Sequence, residues 1–305
     1  MYHYVRPIKG SKYEGIKGLE LKKFIEEIDY LSKNYQIISS LDLIEAIKAE
    51  EPIPNQSVIL TFDDGYLDHY KYVFPELQKR KLSGTFFPIA KAVTDNLILD
   101  VNKIHYILAS QADTKNIFDD LIDKIKKNQK KYKLNEVSAY LSKYFVRNRY
   151  DPEVVNFIKR VLQFALPQNL RSKIVKQLFN KYVTIDESGF SEELYASEPQ
   201  LKEMLAEGMI IGSHGTNHLW LDSTSVPEQE QDIKDSVLFL DRLGSDKENF
   251  IFCYPYGAYN QQTINILKSV QCRGAFTTTP RKVNLNRDNV LEIPRIDTND
   301  VSAFL

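Results

Sequence analysis

The stretch Val58-Ile59-Leu60-Thr61-Phe62-Asp63-Asp64-Gly65 decides the fold. An apolar, β-branched run ends abruptly in two adjacent carboxylates and a glycine. Val58, Ile59 and Leu60 ask for apolar cover on both faces, the pattern of a buried strand in a parallel sheet. Asp63 and Asp64 then fall where the strand runs out, the end at which α/β folds keep their chemistry. Two neighbouring carboxylates repel each other, so a site that keeps both ionised needs a cation. Gly65 allows a sharp turn or a close backbone approach. The plainer alternative is a strand end followed by a helix capped by one of the aspartates.

Upstream of this stretch, Tyr2 to Val5 reads as a short first strand. Leu19 to Tyr35 carries Leu21, Phe24, Ile25, Ile28 and Leu31 at helical spacing. Gln36 to Ser39 is a short strand, and Ser40 to Ala49 a helix with Ser39 or Ser40 as its cap. Downstream come a helix from about Tyr66 to Arg80 and a strand from Gly84 to Ile89. Between Leu97 and Tyr182 there is no glycine and almost no β signal, and Ile117, Leu121, Ile122 and Ile125 recur at helical spacing. Lysines between Lys124 and Lys133 read as a solvated helix face rather than a nucleic-acid patch. The β/α rhythm then resumes: helix from Pro199 to Gly208, strand from Met209 to His214, helix from Val226 to Leu243, strand from Asn249 to Pro255, helix from Asn260 to Val270, strand from Gly274 to Thr277, and a last strand from Val290 to Arg295. The expectation is an α/β protein: a distorted, closed or nearly closed (β/α) barrel of seven to eight strands from residues 1–97 and 198–305, with an all-helical insertion at 98–197. Such an insertion could cap the barrel mouth or form a dimer interface.

The chain has 305 residues, 43% hydrophobic and 27% charged, with a formal net charge of −1. That balance gives no electrostatic reason to expect nucleic acid or an anionic membrane as partner. No apolar run reaches the roughly 18–20 residues of a membrane span. Met1 to Pro7 lacks the basic start and apolar middle of a secretion signal, and the two cysteines, Cys253 and Cys272, are too few for a disulfide scaffold. A cytoplasmic protein is the simplest expectation; an exported protein with its signal trimmed also fits.

Ser213-His214-Gly215-Thr216-Asn217-His218 begins where the Met209 strand should end. If the four-residue spacing falls on a helical turn, both imidazoles lie on one face and can bind one metal. Two histidines and one carboxylate make an open catalytic zinc set. Cys253-Tyr254-Pro255-Tyr256-Gly257, at another strand end, has the composition of a tight turn that can present a backbone N–H to an oxyanion. Arg295, after the last strand, could orient a carboxylate bidentately or sit in a structural ion pair. Alternation puts His3 on the face opposite Tyr2 and Tyr4, and read alone it is a strand-end histidine bonded in the rim. His69 reads as packing or solvent-facing, and nothing requires a role for His105.

Thr61-Phe62-Asp63-Asp64-Gly65, His214-x-x-x-His218 and Tyr254-Pro255-Tyr256-Gly257 together resemble the polysaccharide deacetylase family, carbohydrate esterase family 4, also called the NodB-homology domain. The resemblance covers roughly residues 1–97 and 198–305. It implies a metal-dependent deacetylase with Asp63 as general base, Asp64, His214 and His218 as ligands of one divalent ion, zinc first among them, and the Tyr256 backbone N–H at the oxyanion. Two departures stand out. Many members have arginine where this chain has Cys253, and many carry an acid histidine in a late Leu-x-x-His motif that is absent here. The start Met1-Tyr-His-Tyr-Val resembles the poly-N-acetylglucosamine deacetylase branch, in which the acid histidine comes from an N-terminal strand. That resemblance makes His3 the candidate acid and Arg295 the candidate substitute for the missing arginine. The expected substrate is an N-acetylated sugar or polysaccharide. The alternatives are hydrolysis of a non-sugar amide or O-acetyl ester, and a catalytically silent carbohydrate-binding protein.

Overall fold

Nine short strands occur among the described residues: β1 (Val5–Arg6), β2 (Leu19–Glu20), β3 (Gln36–Ile37), β4 (Ser57–Val58), β5 (Thr61–Asp64), β6 (Thr85–Pro88), β7 (Ile210–Ile211), β8 (Ile251–Cys253) and β9 (Gly274–Phe276). The computed structural model describes residues 1–111, 113–148, 151–245 and 250–303. Asn249, the expected first residue of a strand, lies outside them. Every pairing is parallel: β1 with β2, β3 with β4, β5–β6–β7 in that order, and β8 with β9. All four residues of β5 are buried, as a strand covered on both faces must be.

Backbone hydrogen bonds continue between these pieces. Tyr2 exchanges bonds with Thr61 and Asp63, Ser213 with Ile251 and Cys253, and Ile293 with Ala275 and Thr277. The Met1 amino group donates to the Ile296 carbonyl, and the Thr298 N–H donates back to the Met1 carbonyl. Tyr2, Phe62 and Phe86 stack in sequence at 5.1 and 4.7 Å between ring centroids, forming the apolar layer behind β5.

The chain divides into two compact units, residues 1–7, 18–97 and 191–305, and residues 8–17 with 98–190. All nine strands belong to the first. Within it, the helix Leu21–Asn34 starts later than its periodicity suggests because Leu19 and Glu20 pair with β1. The helix Ser40–Ala49 carries a reciprocal cap between Ser39 and Asp42. The stretch after Gly65 is a π turn, His69–Val73, followed by the α-helix Phe74–Lys79. Pro75 has no N–H for the regular ladder, so an unbroken α-helix is not available there. Val290 to Arg295 contributes only the single bridge Phe276–Ile293. Asn289 turns the chain at 289–292, its side chain accepting from Leu291 N–H and its carbonyl from Glu292 N–H, and Pro294 lacks a donor.

In the second unit the elements are helical, among them Asp100–Ala109, Lys115–Tyr132, Glu153–Arg160 and Gln168–Tyr182. Residues 8–17 belong with these helices for visible reasons. Tyr13 packs its ring on Tyr106 and Phe190, and Lys17 pairs with the buried Asp151 at 2.5 Å. Residues 191–197 go with the first unit instead, where the Ala196 N–H donates to the Gly65 carbonyl. No helix among the described residues is long and apolar enough to cross a membrane.

Candidate active site

The two aspartates sit at the C-terminal end of β5, opposite Phe87 and Pro88 of β6. Asp64 adopts a left-handed backbone, φ 72°, and Gly65 follows at φ 67°. A Cβ at Gly65 would stand 2.7 Å from both Cα and Cβ of Pro88, so only glycine fits. Asp64 is a non-glycine residue held in a sparsely populated conformation, a strain that clusters at functional sites.

Asp64, His214 and His218 are all buried and face one point. The Asp64 Oδ1 lies 3.5 Å from the Nε2 of His214 and 3.5 Å from the Nε2 of His218. These separations are long for hydrogen bonds. They approach the about 3.3 Å expected between two donors each bound at ~2.0–2.1 Å to a tetrahedral zinc. The supporting bonds leave the same three atoms facing inward. Tyr66 donates its hydroxyl to the other Asp64 oxygen, Oδ2, at 2.6 Å. His214 donates Nδ1–H to the Cys253 carbonyl at 2.8 Å, which turns Nε2 towards Asp64, where a cation would take the place of its proton. Burial, then the charge of His214, pushes His218 down to about 3, so its imidazole is neutral and able to ligate. Burial alone would raise the Asp64 carboxyl, but the adjacent His214 and His218 imidazoles outweigh it and hold it well below the carboxylate range. The donor set therefore fits a divalent cation.

Asp63 has a different partner. Arg295 donates Nη1–H to its Oδ1 at 2.7 Å and Nη2–H to its Oδ2 at 2.8 Å, and both side chains are 3% exposed. Burial would raise this carboxyl too, but the Arg295 guanidinium outweighs it and keeps Asp63 ionised. Cys253 lies in the same contact: Arg295 Nη2 donates to its Sγ at 3.0 Å, and Sγ stands 3.5 Å from Asp63 Oδ2. Burial pushes the Cys253 thiol up, so it is an S–H and not a thiolate. Asp63, His214 and Cys253 also come close enough to share an ion. The guanidinium already neutralises that group and repels a second cation, which leaves the Asp64 trio as the better candidate for a metal. The two positions linked by the family resemblance, Cys253 and Arg295, are thus in direct contact.

His3 has its Nε2 3.9 Å from Asp63 Oδ2 and its side chain 42% exposed, while Tyr2 and Tyr4 on either side are buried. His69, expected as packing or solvent-facing, is buried and bonded: its Nε2–H donates to the His3 carbonyl at 2.7 Å. Burial lowers His69 to about 4, so it serves as a neutral donor. His105 belongs to the second unit. Tyr256 has φ 59° inside the turn Pro255–Gly257. Its ring lies 4.4 Å from that of His218 and stacks flat on Trp220, 4.1 Å away with 7° between the planes.

One expectation needs correcting. His214 and His218 lie on an irregular loop and not on a helical turn. Gly215 and His218 are left-handed, φ 73° and 54°, which an α-helix excludes. Tyr66, Trp220 and Asp232 lie around the site, and no motif in the sequence marks them. The signal for Asp232 was there: it lies on the same face of its helix as Ser236, Phe239 and Leu243, a carboxylate on a buried stripe.

Residues 50–143 and 164–275 match the polysaccharide deacetylase family, and the chain belongs to it, as the motifs implied. Over 69 residues it is 38% identical to the poly-beta-1,6-N-acetyl-D-glucosamine N-deacetylase of Escherichia coli (strain K12). That stretch is 22% of this chain and only 10% of the relative. Among solved structures, the deacetylase PplD of Streptococcus pyogenes, in complex with acetate, superposes with a TM-score of 0.58 at 17% identity, over 97% of this chain and 89% of its own. IcaB from Ammonifex degensii gives 0.58 at 18%, over 99% and 94%. At such identities the likeness is one of fold.

Proposed function

We propose that this chain is a zinc-dependent N-deacetylase that releases acetate from an N-acetylated hexosamine polymer or oligomer. The observation that carries the reading is the convergence of Asp64 Oδ1 and the Nε2 atoms of His214 and His218 beside the Arg-paired Asp63. The family supports deacetylation, and the Escherichia coli relative suggests a β-1,6-linked N-acetylglucosamine chain as the first substrate to try. The hydrogen-bonded series from Tyr2 through β5–β9 to residues 293–298 supports a distorted barrel.

Asp64, His214 and His218 would hold the ion. A divalent cation there supplies Lewis acidity, which polarises an acyl carbonyl and makes nearby water more acidic, matching the weak basicity of an Arg-paired carboxylate. Asp63 is the general base: Arg295 keeps it charged, and Oδ1, which takes one bond from Arg295 where Oδ2 takes one from Arg295 and one from the Cys253 thiol, retains a lone pair for the proton of the attacking water. The water oxygen bonds to the acyl carbon, and the Tyr256 backbone N–H in the turn helps hold the oxyanion. His3, partly open to solvent and near Asp63, gives a proton to the departing amine as the C–N bond breaks. Acetate and a free amino sugar leave.

The test is acetate release from N-acetyl sugars, monomeric and polymeric, with chelator and metal add-back. D63N should lose nearly all turnover and keep zinc; D64N should lose zinc. Turnover that survives chelation, or in D63N, overturns the reading. Stoichiometric sugar binding with no metal and no acetate released would point to a silent binding protein.

A further inference from the structure

The two histidines of the metal trio are not held by helix geometry, so something else must hold them. A helical turn would bring its own hydrogen-bond ladder, whereas residues 214–218 include two left-handed positions. One of these is His218 itself, and a left-handed non-glycine residue is intrinsically unfavourable and persists only where its surroundings impose it.

The carbonyls of Gly215 and Thr216 accept the Ala90 and Lys91 N–H groups, but the N–H groups of Thr216 and Asn217 converge on one side chain. Asp232, in the helix Val226–Leu243, is 2% exposed. Its Oδ2 accepts the Thr216 N–H at 3.0 Å, and its Oδ1 accepts the Asn217 N–H and the Asn217 side-chain amide, both at 2.8 Å. The Thr216 hydroxyl donates to the Asp232 carbonyl at 2.7 Å. Each bond goes to a residue between the two histidines. A Cβ at Gly215 would stand 2.6 Å from Asp232 Oδ2, so the glycine is what lets the carboxylate come this close.

We propose that Asp232 is a positioning residue for the metal centre, templating the 214–218 loop so that both imidazole Nε2 atoms meet Asp64 Oδ1. The inference rests on the reading that this trio binds a divalent cation. A carboxylate suits the task because it accepts several N–H groups at once with no donor of its own to misplace. Without it, the loop keeps its bonds to Ala90 and Lys91 but its Thr216 and Asn217 N–H groups lose their acceptor, and the ion must pay for reordering that stretch.

The experiment is a Zn²⁺ titration of the full chain by competition with a chromophoric chelator, for wild type, D232A and D232N. Melting temperatures are measured with and without zinc. In D232A the Kd for Zn²⁺ should rise about 10–100-fold, the usual cost of losing an outer-shell partner, and the zinc-induced rise in Tm should shrink. D232N keeps one acceptor oxygen but turns an amide towards backbone N–H groups, so it should weaken binding by a smaller factor. It carries the test if D232A does not fold. Zinc affinity within about threefold of wild type in the variants, well short of an outer-shell effect, overturns the inference. So does an equal drop in Tm with and without zinc, which is what a merely structural role predicts. A wild-type chain that binds no Zn²⁺ overturns the trio and this inference together; wild-type binding that the variants share overturns this inference alone.

Discussion

Removing Arg295 exposes the energetics of the site most directly. The guanidinium bonds both oxygens of Asp63 at 2.7 and 2.8 Å and donates to the Thr277 carbonyl at 2.9 Å, in a pair 3% exposed on each side. In R295M the carboxylate stays buried and loses its counter-charge. Breaking a buried pair from one side costs about 3–5 kcal/mol. The sign with pH follows from the two carboxyl states. In the wild type Asp63 titrates below its unfolded value of about 3.9, so its stabilisation is present above that pH and fades only in stronger acid. In R295M burial is no longer offset by the guanidinium, the folded carboxyl rises above its unfolded value, and the penalty is relieved as protons bind. The difference between the two proteins should therefore be largest at pH 7 and shrink towards about pH 4. Urea denaturation with chelator present, followed by the fluorescence of the lone tryptophan, Trp220, reads the unit that contains the pair. A loss below about 1 kcal/mol at pH 7, the range of an exposed pair, or one that does not change on acidification, would refute the reasoning.

H3A should lower acetate release by about 10²–10⁴-fold if His3 is the general acid, with zinc affinity unchanged; a loss under tenfold returns His3 to a rim histidine. Y66F removes the hydroxyl that occupies Asp64 Oδ2, and zinc affinity measured by chelator competition should fall about 10–100-fold. Unchanged affinity in Y66F would mean that the Asp64 carboxylate is oriented by its own backbone.

The apolar run before Asp63 was legible because a strand buried on both faces has to be continuously apolar, and β5 is buried at every position. The helices Ser40–Ala49 and Val226–Leu243 match their sequence patterns end to end, since caps and periodicity are local properties. Where pairing partners decide, the pattern misled: Leu19 and Glu20 looked helical and are a strand because β1 lies beside them. The last expected strand fails for a local reason, the turn at Asn289 and the donor missing at Pro294.

By itself the sequence determined which chemical groups the chain carries and at which strand ends they emerge: Asp63 and Asp64 after β5, His214 and His218 after β7, Cys253 to Gly257 from the end of β8. Those are consequences of side-chain periodicity and of breakers close in sequence. Only the tertiary structure decided which aspartate meets arginine and which meets imidazole, that the His-x-x-x-His spacing lies on a loop, and that Asp232, Tyr66 and the Cys253 carbonyl hold its donors. Hydrogen bonds and ion pairs between residues far apart along the chain, such as Asp63 and Arg295 at 232 positions, depend on how distant segments stack. No local pattern records that distance.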